Sequence, residues 1–339
     1  MVISGTPDRG PRLFQRLPRR LALLALLLSL SSLLISIGTG SSDISLTEVF
    51  TYLVSDDGST SDRIIDQLRL PRTLSAFAVG GMLALAGALM QVLLRNPLGD
   101  PYVLGVSGGA SSAVLAGMLL GIPTLWLSPI AFIGALLSTV IVFTLARSRT
   151  ADSGSTRLLL TGIIMAAGWS ALISLTLSLS PAMQLPGMLF WLMGDLSDAL
   201  SPAPLLAVLT VGLAASLWIA PQLNVALYGL EQASLLGVNP LRLRMQLFLL
   251  ASLLTAAAVA VAGAIGFVGL ITPHLVRLLG ATDQRHLLPL SVLGGGSLLT
   301  LADTAARTVI APMQLPVGVL TAVIGVPLFL LLLQREKGL

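Results

Sequence analysis

The chain has no cysteine, one lysine (Lys337) and two histidines, His274 and His286. Without cysteine there is no disulfide framework and no thiolate metal site. Two histidines do not make a histidine-rich metal centre within one chain. The lone lysine, close to the C-terminal end, lies in no phosphate-binding loop, which needs G-x-x-x-x-G-K-[ST] with the lysine reaching the phosphates. Charge is scarce too: 10% of the 339 residues are Asp, Glu, Lys or Arg, against roughly a quarter in a soluble domain. The net charge of +4 would suit nucleic acid, but the arginines sit in short clusters beside apolar runs, the pattern of topology determinants. Nucleic-acid binding is set aside on that ground.

What is abundant is apolar: 55% of the residues are hydrophobic. The chain reads as an integral membrane protein, organised around the stretch from Arg69 to Ala110. Two arginines bracket Leu-Pro, and a long apolar run follows that suits a membrane-spanning helix. Pro97 and Pro101, with Gly99 and Asp100 between them, force a tight turn before a second apolar segment.

Further spans are expected at roughly 21–38, 72–94, 102–120, 125–146, 157–180, 202–220, 242–263, 287–305 and 316–333. The interval 264–281 carries Gly266, Gly269, Pro273, His274 and Arg277. It predicts a short or broken helix, since irregular backbone at membrane depth is tolerated only inside protein or along a cavity. The sum is about ten helices. Residues 1–20 form an arginine-bearing tail, and with the apolar segment after it they share features of a signal peptide. An uncleaved first helix is the stronger reading, because some seventeen apolar residues can span and many more spans follow. Thr39 to Leu68 is polar and mostly acidic, which fits an extracytoplasmic loop.

Threading the chain with its first tail inside puts Arg95, Arg147, Arg149, Arg157, Arg242, Arg244, Arg285, Arg335 and Lys337 on the cytoplasmic side. An even number of spans with both termini cytoplasmic follows. Arg69, Arg72 and Arg307 fall at the outer face instead. Each could snorkel or pair locally, Arg307 being one turn beyond Asp303. Gathered at one mouth, they would make a docking surface for an acidic partner.

No expected span carries a carboxylate near its middle: Asp100, Asp195, Glu231, Asp283 and Asp303 lie in loops or at helix ends. That disfavours a proton-coupled pump, while sodium coupling through backbone carbonyls stays open. If ATP drives this protein, a separate subunit supplies the ATPase. The coupling element would then be the loop Leu223 to Pro240, where Glu231 to Leu236 suits a short helix ended by Gly237 and Asn239-Pro240. An ordinary connecting loop is the plainer alternative. Gly80, Ala84 and Ala88 stand at small-xxx-small spacing, a close-packing signal. Met165, Trp169, Met183, Met188 and Met193 either pack or give a pliable wall for a bulky cargo.

The run of motifs resembles the FecCD-like family, permeases of bacterial importers for iron-siderophores, vitamin B12 and haem. It comprises Arg69-Leu-Pro-Arg72, Gly87 to Gln91, Arg95 to Leu98 with Asp100-Pro101, and Leu104 to Ser107. Then come Leu158 to Ile163, Trp191 to Gly194, Ala233 to Val238, Gly263 to Arg277, Asp283 with Arg285, Leu287 to Pro289, Ala302-Asp303 and Pro316 to Gly318. The resemblance implies an all-α, ten-helix type II importer permease in the cytoplasmic (inner) membrane, with a transmembrane permease domain over 21–334 and tails at 1–20 and 335–339. It implies a second permease subunit, homo- or heterodimeric, two cytoplasmic ATPases that bind ATP and magnesium, and a substrate-binding protein. The chain itself would be no enzyme and hold no cofactor or metal, and an iron(III)-siderophore would be the cargo, with cobalamin or haem as alternatives. Arg69, Arg72 and Arg307 match family positions that dock the binding protein. Asn96, Leu98, Ser155 and Thr156 match the cytoplasmic gate. Glu231, Ala233, Leu236, Gly237 and Val238 match the helix that couples to the ATPase. Two departures stand out: Gln314 lies near a position where the family commonly has glutamate, and Gln284 follows Asp283 where a histidine is usual. An ion-gradient-driven secondary transporter is the competing class, and a membrane-embedded enzyme finds no nucleophile-base pair or metal cluster to support it.

Overall fold

The computed structural model describes residues 10–40, 60–146, 154–199, 201–227 and 229–336. Among them there is no strand, as expected where every backbone N–H and C=O must be satisfied without water. The helices are α1 (Gly10–Gly38), α2 (Thr60–Leu94), α3 (Val106–Leu119), α4 (Leu127–Ala146), α5 (Gly154–Leu179) and α6 (Leu185–Met193). After them come α7 (Pro202–Ala226), α8 (Leu230–Leu235), α9 (Pro240–Ala262), α10 (Val268–Leu278), α11 (Gln284–Thr308) and α12 (Val317–Glu336). Seven described helices are long and apolar enough to cross a membrane, and α3, α10 and α12 are shorter apolar helices. Together they account for the ten expected spans.

Helix α2 is the axis of the bundle, with 94% of its most apolar window buried inside the protein, against 11% for α5. Lipid tails are as apolar as leucine, so close packing rather than hydrophobic burial must hold α2 to its neighbours. Small residues provide it. A Cβ on Gly80 would lie 2.3 Å from the Gly295 carbonyl oxygen, and one on Gly87 would lie 1.8 Å from that of Gly269. The backbones of α2 and α11 therefore touch, antiparallel, at Gly80 and Gly295, where Ala84 also packs. Helix α1 joins this pair through the Ser29–Ser297 hydroxyl contact (3.0 Å) and Ser36–Thr73 (2.8 Å).

The structure corrects the expected boundaries. Helix α1 reaches back to Gly10, ahead of the expected apolar span, whose candidate membrane segment runs from Arg20 to Gly38 as the sequence predicted. Helix α2 begins at Thr60, not near residue 72, and is π-helical over Ile65–Arg69. Pro71 has no N–H to donate, and the ladder slips by one residue just before it, Leu70 N–H reaching back to Ile65. Helix α7 continues past the expected stop, with Pro221 inside it. Arg147, Arg149, Lys337 and most of the acidic loop (41–59) lie outside the described residues.

The short helix α10 is as the glycines predicted. Before it the chain is irregular from Gly263 (φ 66°) to Phe267 (φ 70°). The Tyr102 hydroxyl accepts the Ile265 amide at 3.1 Å, so this irregular backbone is held from within the protein. His274 is buried, its ring edge-on to Phe329.

Candidate functional site

Three places carry the expected functional residues. The first lies where α2, α11 and the end of α1 meet. Asp303, fully buried, accepts Arg72 Nε at 3.1 and 3.2 Å and Arg72 NH2 at 2.8 Å. Its Oδ2 also pairs with Arg307 Nε at 3.1 Å, one turn along α11. Arg307 NH2 donates to the Ser36 hydroxyl at 3.0 Å, and Arg72 NH1 donates to Gln314 Oε1 at 3.1 Å. Arg69 stands apart from that carboxylate: its NH1 donates to the carbonyls of Ile37 (2.8 Å) and Gly38 (3.1 Å), the last turn of α1. A guanidinium there also complements the negative end of that helix.

The structure buries all three arginines, each at 9% exposure or less, and of the two expectations for them, local pairing or a docking surface, it shows pairing for Arg72 and Arg307. The reason is Asp303. A fully buried carboxylate needs its charge balanced, and it draws both guanidiniums onto itself. Sequence spacing flagged Arg307 with Asp303, but nothing local could flag Arg72, which is far away along the chain.

The second place is the turn after α2. Arg95 closes that helix in the left-handed region (φ 50°), and the Asn96 side chain accepts the Leu98 amide at 2.9 Å. Asp100 then caps the 3₁₀ turn Pro101–Leu104 by accepting Tyr102 N–H at 2.7 Å. Burial pushes the Asp100 carboxyl up to about 6 against that hydrogen bond. Burial, then the Asp100 charge, also raise the Tyr102 phenol. A cavity of about 380 Å³ opens beside the turn, lined by Gln91, Arg95, Asn96, His274 and Arg277 among others. Arg277 donates to Gln91 at 3.0 Å, and Gln91 donates to the Leu270 carbonyl at 3.1 Å. Ser155 and Thr156 lie in the first turn of α5.

The third place is α8, Leu230–Leu235, which contains Glu231 and Ala233. Gly237 (φ 82°) ends it, and its amide and that of Val238 return to the Ser234 and Ala233 carbonyls at 3.0 Å each. Ala233 is buried, while Leu235 (87%) and Leu236 (72%) are exposed, so the helix offers an apolar tip. Asn239, read as part of the stop, in fact starts the next helix, its side chain accepting Leu241 and Arg242 amides at 3.1 Å. At the root of this element, Asn224 on α7 donates to Asp283 Oδ1 at 2.8 Å and accepts the Gln284 amide at 2.9 Å. Sequence reasoning missed Asn224, Tyr102 and the role of Asp303; each acts through a partner distant in the chain.

Met188 is fully buried, so it packs and lines no wall, while Met183 is 95% exposed. Trp169 on α5 donates through Nε1 to the Ser138 hydroxyl at 2.8 Å, and that hydroxyl donates to the Gly105 carbonyl at 2.8 Å.

Comparison with known proteins adds the following. The pattern described as the FecCD transport family matches residues 25–335. The chain is 39% identical over 320 residues to the uncharacterized ABC transporter permease protein YvrB of Bacillus subtilis, covering 90% of each. It is 40% identical over 317 residues to the vitamin B12 import system permease protein BtuC of Yersinia enterocolitica, covering 91% of each. A solved inward-facing structure, described as of the metal-chelate type of ABC transporter, superposes with a TM-score of 0.81 at 30% identity. That match covers 94% of this chain and 99% of the other.

Proposed function

The chain belongs to the FecCD transport family and is a permease subunit of an ABC importer of that kind; from that premise we propose that its cargo is a bulky metal chelate. Iron(III)-siderophore is the reading taken from the motifs. Cobalamin is supported equally, by the extent of similarity to BtuC. The observation that carries the proposal is the match to this family along 25–335.

The arginine distribution supports a sidedness in which α8 and the Arg95 turn face the cytoplasm of a bacterial inner membrane, as do both termini. The Asp303 cluster then faces outward and receives acidic side chains of a substrate-binding protein. Helix α8, with its exposed leucine tip, seats on a cytoplasmic ATPase, which holds ATP and magnesium. Asn96, Leu98, Ser155 and Thr156 close the inner end of the path. The exposed apolar flank of α5 (Leu160, Ile163, Ile164, Leu172, Leu175) suits lipid and a second permease subunit.

Purification from native membranes in mild detergent, with mass spectrometry of what comes along, tests the assembly. Recovery of an ATPase and a binding protein is expected. Recovery of the chain by itself, where a reference ABC complex stays whole, would overturn the assembly in favour of ion-gradient transport. Competition of labelled cobalamin and labelled ferric siderophore for uptake by the reconstituted complex then assigns the cargo.

A further inference from the structure

Helix α1 is longer than a membrane requires. Its 29 residues span about 43 Å at about 1.5 Å each, against about 30 Å of hydrocarbon. The candidate membrane segment begins at Arg20, so the stretch from Gly10 to Arg19 runs about 15 Å beyond it. The whole helix holds four arginines, Arg12, Arg16, Arg19 and Arg20, and no carboxylate. After Arg12 they follow at four, seven and eight positions, the spacing of one helical face. From Arg16 and Arg20 that face continues, in steps of three and four, through Leu23, Leu27, Leu30 and Leu34, all exposed. The opposite face carries Ser29, Ser32 and Ser36, all buried, and packs on α11 and α2 through Ser297 and Thr73. The arginine positions therefore lie on the side of α1 turned to lipid and away from the bundle.

We propose that this stripe binds the phosphate groups of anionic phospholipids in the cytoplasmic leaflet. Where α1 leaves the hydrocarbon, its lipid-turned face changes from leucine to arginine, at the level where headgroups begin. Guanidinium matches phosphate oxygens two at a time. A cluster of arginines beside a span also gains from the negative surface potential of that leaflet. Topology asks only that positive charge stay inside, on any face, so it does not account for the register. The choice of leaflet rests on the sidedness proposed above, and the preference for anionic lipid does not. At its other end α1 presents the Ser36 hydroxyl to Arg307 and the Ile37 and Gly38 carbonyls to Arg69. A headgroup held at one end thus fixes the depth of a helix that holds two of the outer arginines at the other.

The test places the purified complex in nanodiscs of phosphatidylcholine and phosphatidylglycerol, releases it into detergent, and counts the lipid it retains by native mass spectrometry. Phosphatidylglycerol is expected to be enriched about tenfold over its share at low salt, and less as salt rises. Arg12→Gln, Arg16→Gln, Arg19→Gln and Arg20→Gln combined should cut this to about twofold or less, while lysine at the same four positions should keep most of it. Arg285→Gln, at an exposed position on α11, should stay within about twofold of the parent. No enrichment in the parent, enrichment that survives the four glutamines, or an equal loss in Arg285→Gln would each overturn the proposal. If the glutamine variant keeps its lipid but sheds the ATPase, the stripe serves a protein and the proposal falls. Insertion is checked with a single Leu13→Cys, which gives this cysteine-free chain one thiol, and a membrane-impermeant maleimide on whole cells. Protection of that thiol is expected. Labelling in the parent overturns the sidedness, and with it the leaflet, while the nanodisc result judges the lipid preference by itself. Labelling in the glutamine variant alone passes the comparison to single Arg16→Gln and Arg20→Gln variants. Each should then lower the enrichment about twofold, and no change in either overturns the proposal.

Discussion

Asn224 and Asp283 clasp the end of α7, at the root of α8, to the start of α11: the Asn224 amide donates to the carboxylate at 2.8 Å while its oxygen takes the Gln284 N–H at 2.9 Å. One side chain thus satisfies both the cap and the first free amide of α11. The same helix ends at the Asp303 cluster, so its two ends are pinned by carboxylates, at opposite ends of a 25-residue helix. Between them it touches α2 at Gly295.

Asn224→Ala should lower stability by about 1–2 kcal/mol, because it leaves a cap carboxylate and a helix N–H short of a partner. The measurement is thermal melting of the purified complex. If α8 relays through this clasp, ATP hydrolysis should also become less responsive to the binding protein.

The same clasp fixes a pH dependence. Burial would raise the Asp283 carboxyl, but the Asn224 and Arg285 hydrogen bonds and the nearby His286 and Arg285 charges outweigh it and hold the group below its ordinary value. A depressed carboxyl contributes stability above its unfolded value and loses it as pH falls through the folded one. Melting temperature should drop on acidification in the parent and drop less in Asp283→Asn.

Asp100 carries the opposite sign. Its carboxyl is raised to about 6, so the stability it contributes is full below the ordinary carboxylate value and lost as pH rises through about 6. Asp100→Asn keeps an oxygen for the Tyr102 amide and removes the buried charge. It should melt above the parent at about pH 7.5, by on the order of 1–3 kcal/mol in stability, with that margin shrinking steadily as pH falls from about 6 toward 4.

Gly80→Val should be among the most damaging single changes in the chain. The first side-chain carbon would already lie 2.3 Å from the Gly295 oxygen, which is backbone and cannot rotate away. Overpacking costs typically about 1–3 kcal/mol and here forces α2 from α11. Loss of folded protein in detergent by size-exclusion chromatography checks it, and Gly266→Val, where nothing lies within 4 Å, serves as the control.

Trp169→Phe should loosen α5 without unfolding the bundle. The indole N–H is the donor to Ser138, and α5 is otherwise the most exposed long helix. A loss of about 1 kcal/mol is expected, with faster hydrogen exchange confined to α5 and the Gly105 turn.

Reversing the charge of Arg72 or Arg307, the obvious test of docking from the sequence, would set a carboxylate against the buried Asp303. Such variants should fail to fold before they report on docking.

What the sequence by itself determined is what runs locally along the chain. The apolar runs fixed the number and order of the spans, the glycines before α10 fixed its break, and Gly237 fixed the end of α8. Hydropathy and turn chemistry act between near neighbours, so they are legible one residue after another. The short helix and the left-handed Gly237 were both readable in that way. Helix ends were less so: the spans expected to start at 72 and to end at 220 extend past Pro71 and Pro221, because packing on neighbouring helices carries both helices through them.

Only the tertiary structure decided which charges meet. The approach of α2 to α11 at Gly80 and Gly295 sets their antiparallel register, and that register brings Arg72 onto Asp303, 231 positions away in the chain. No local pattern encodes a pairing across that separation, because it depends on where two backbones can come into contact. The burial of Arg72 and Arg307 against Asp303 goes with that contact.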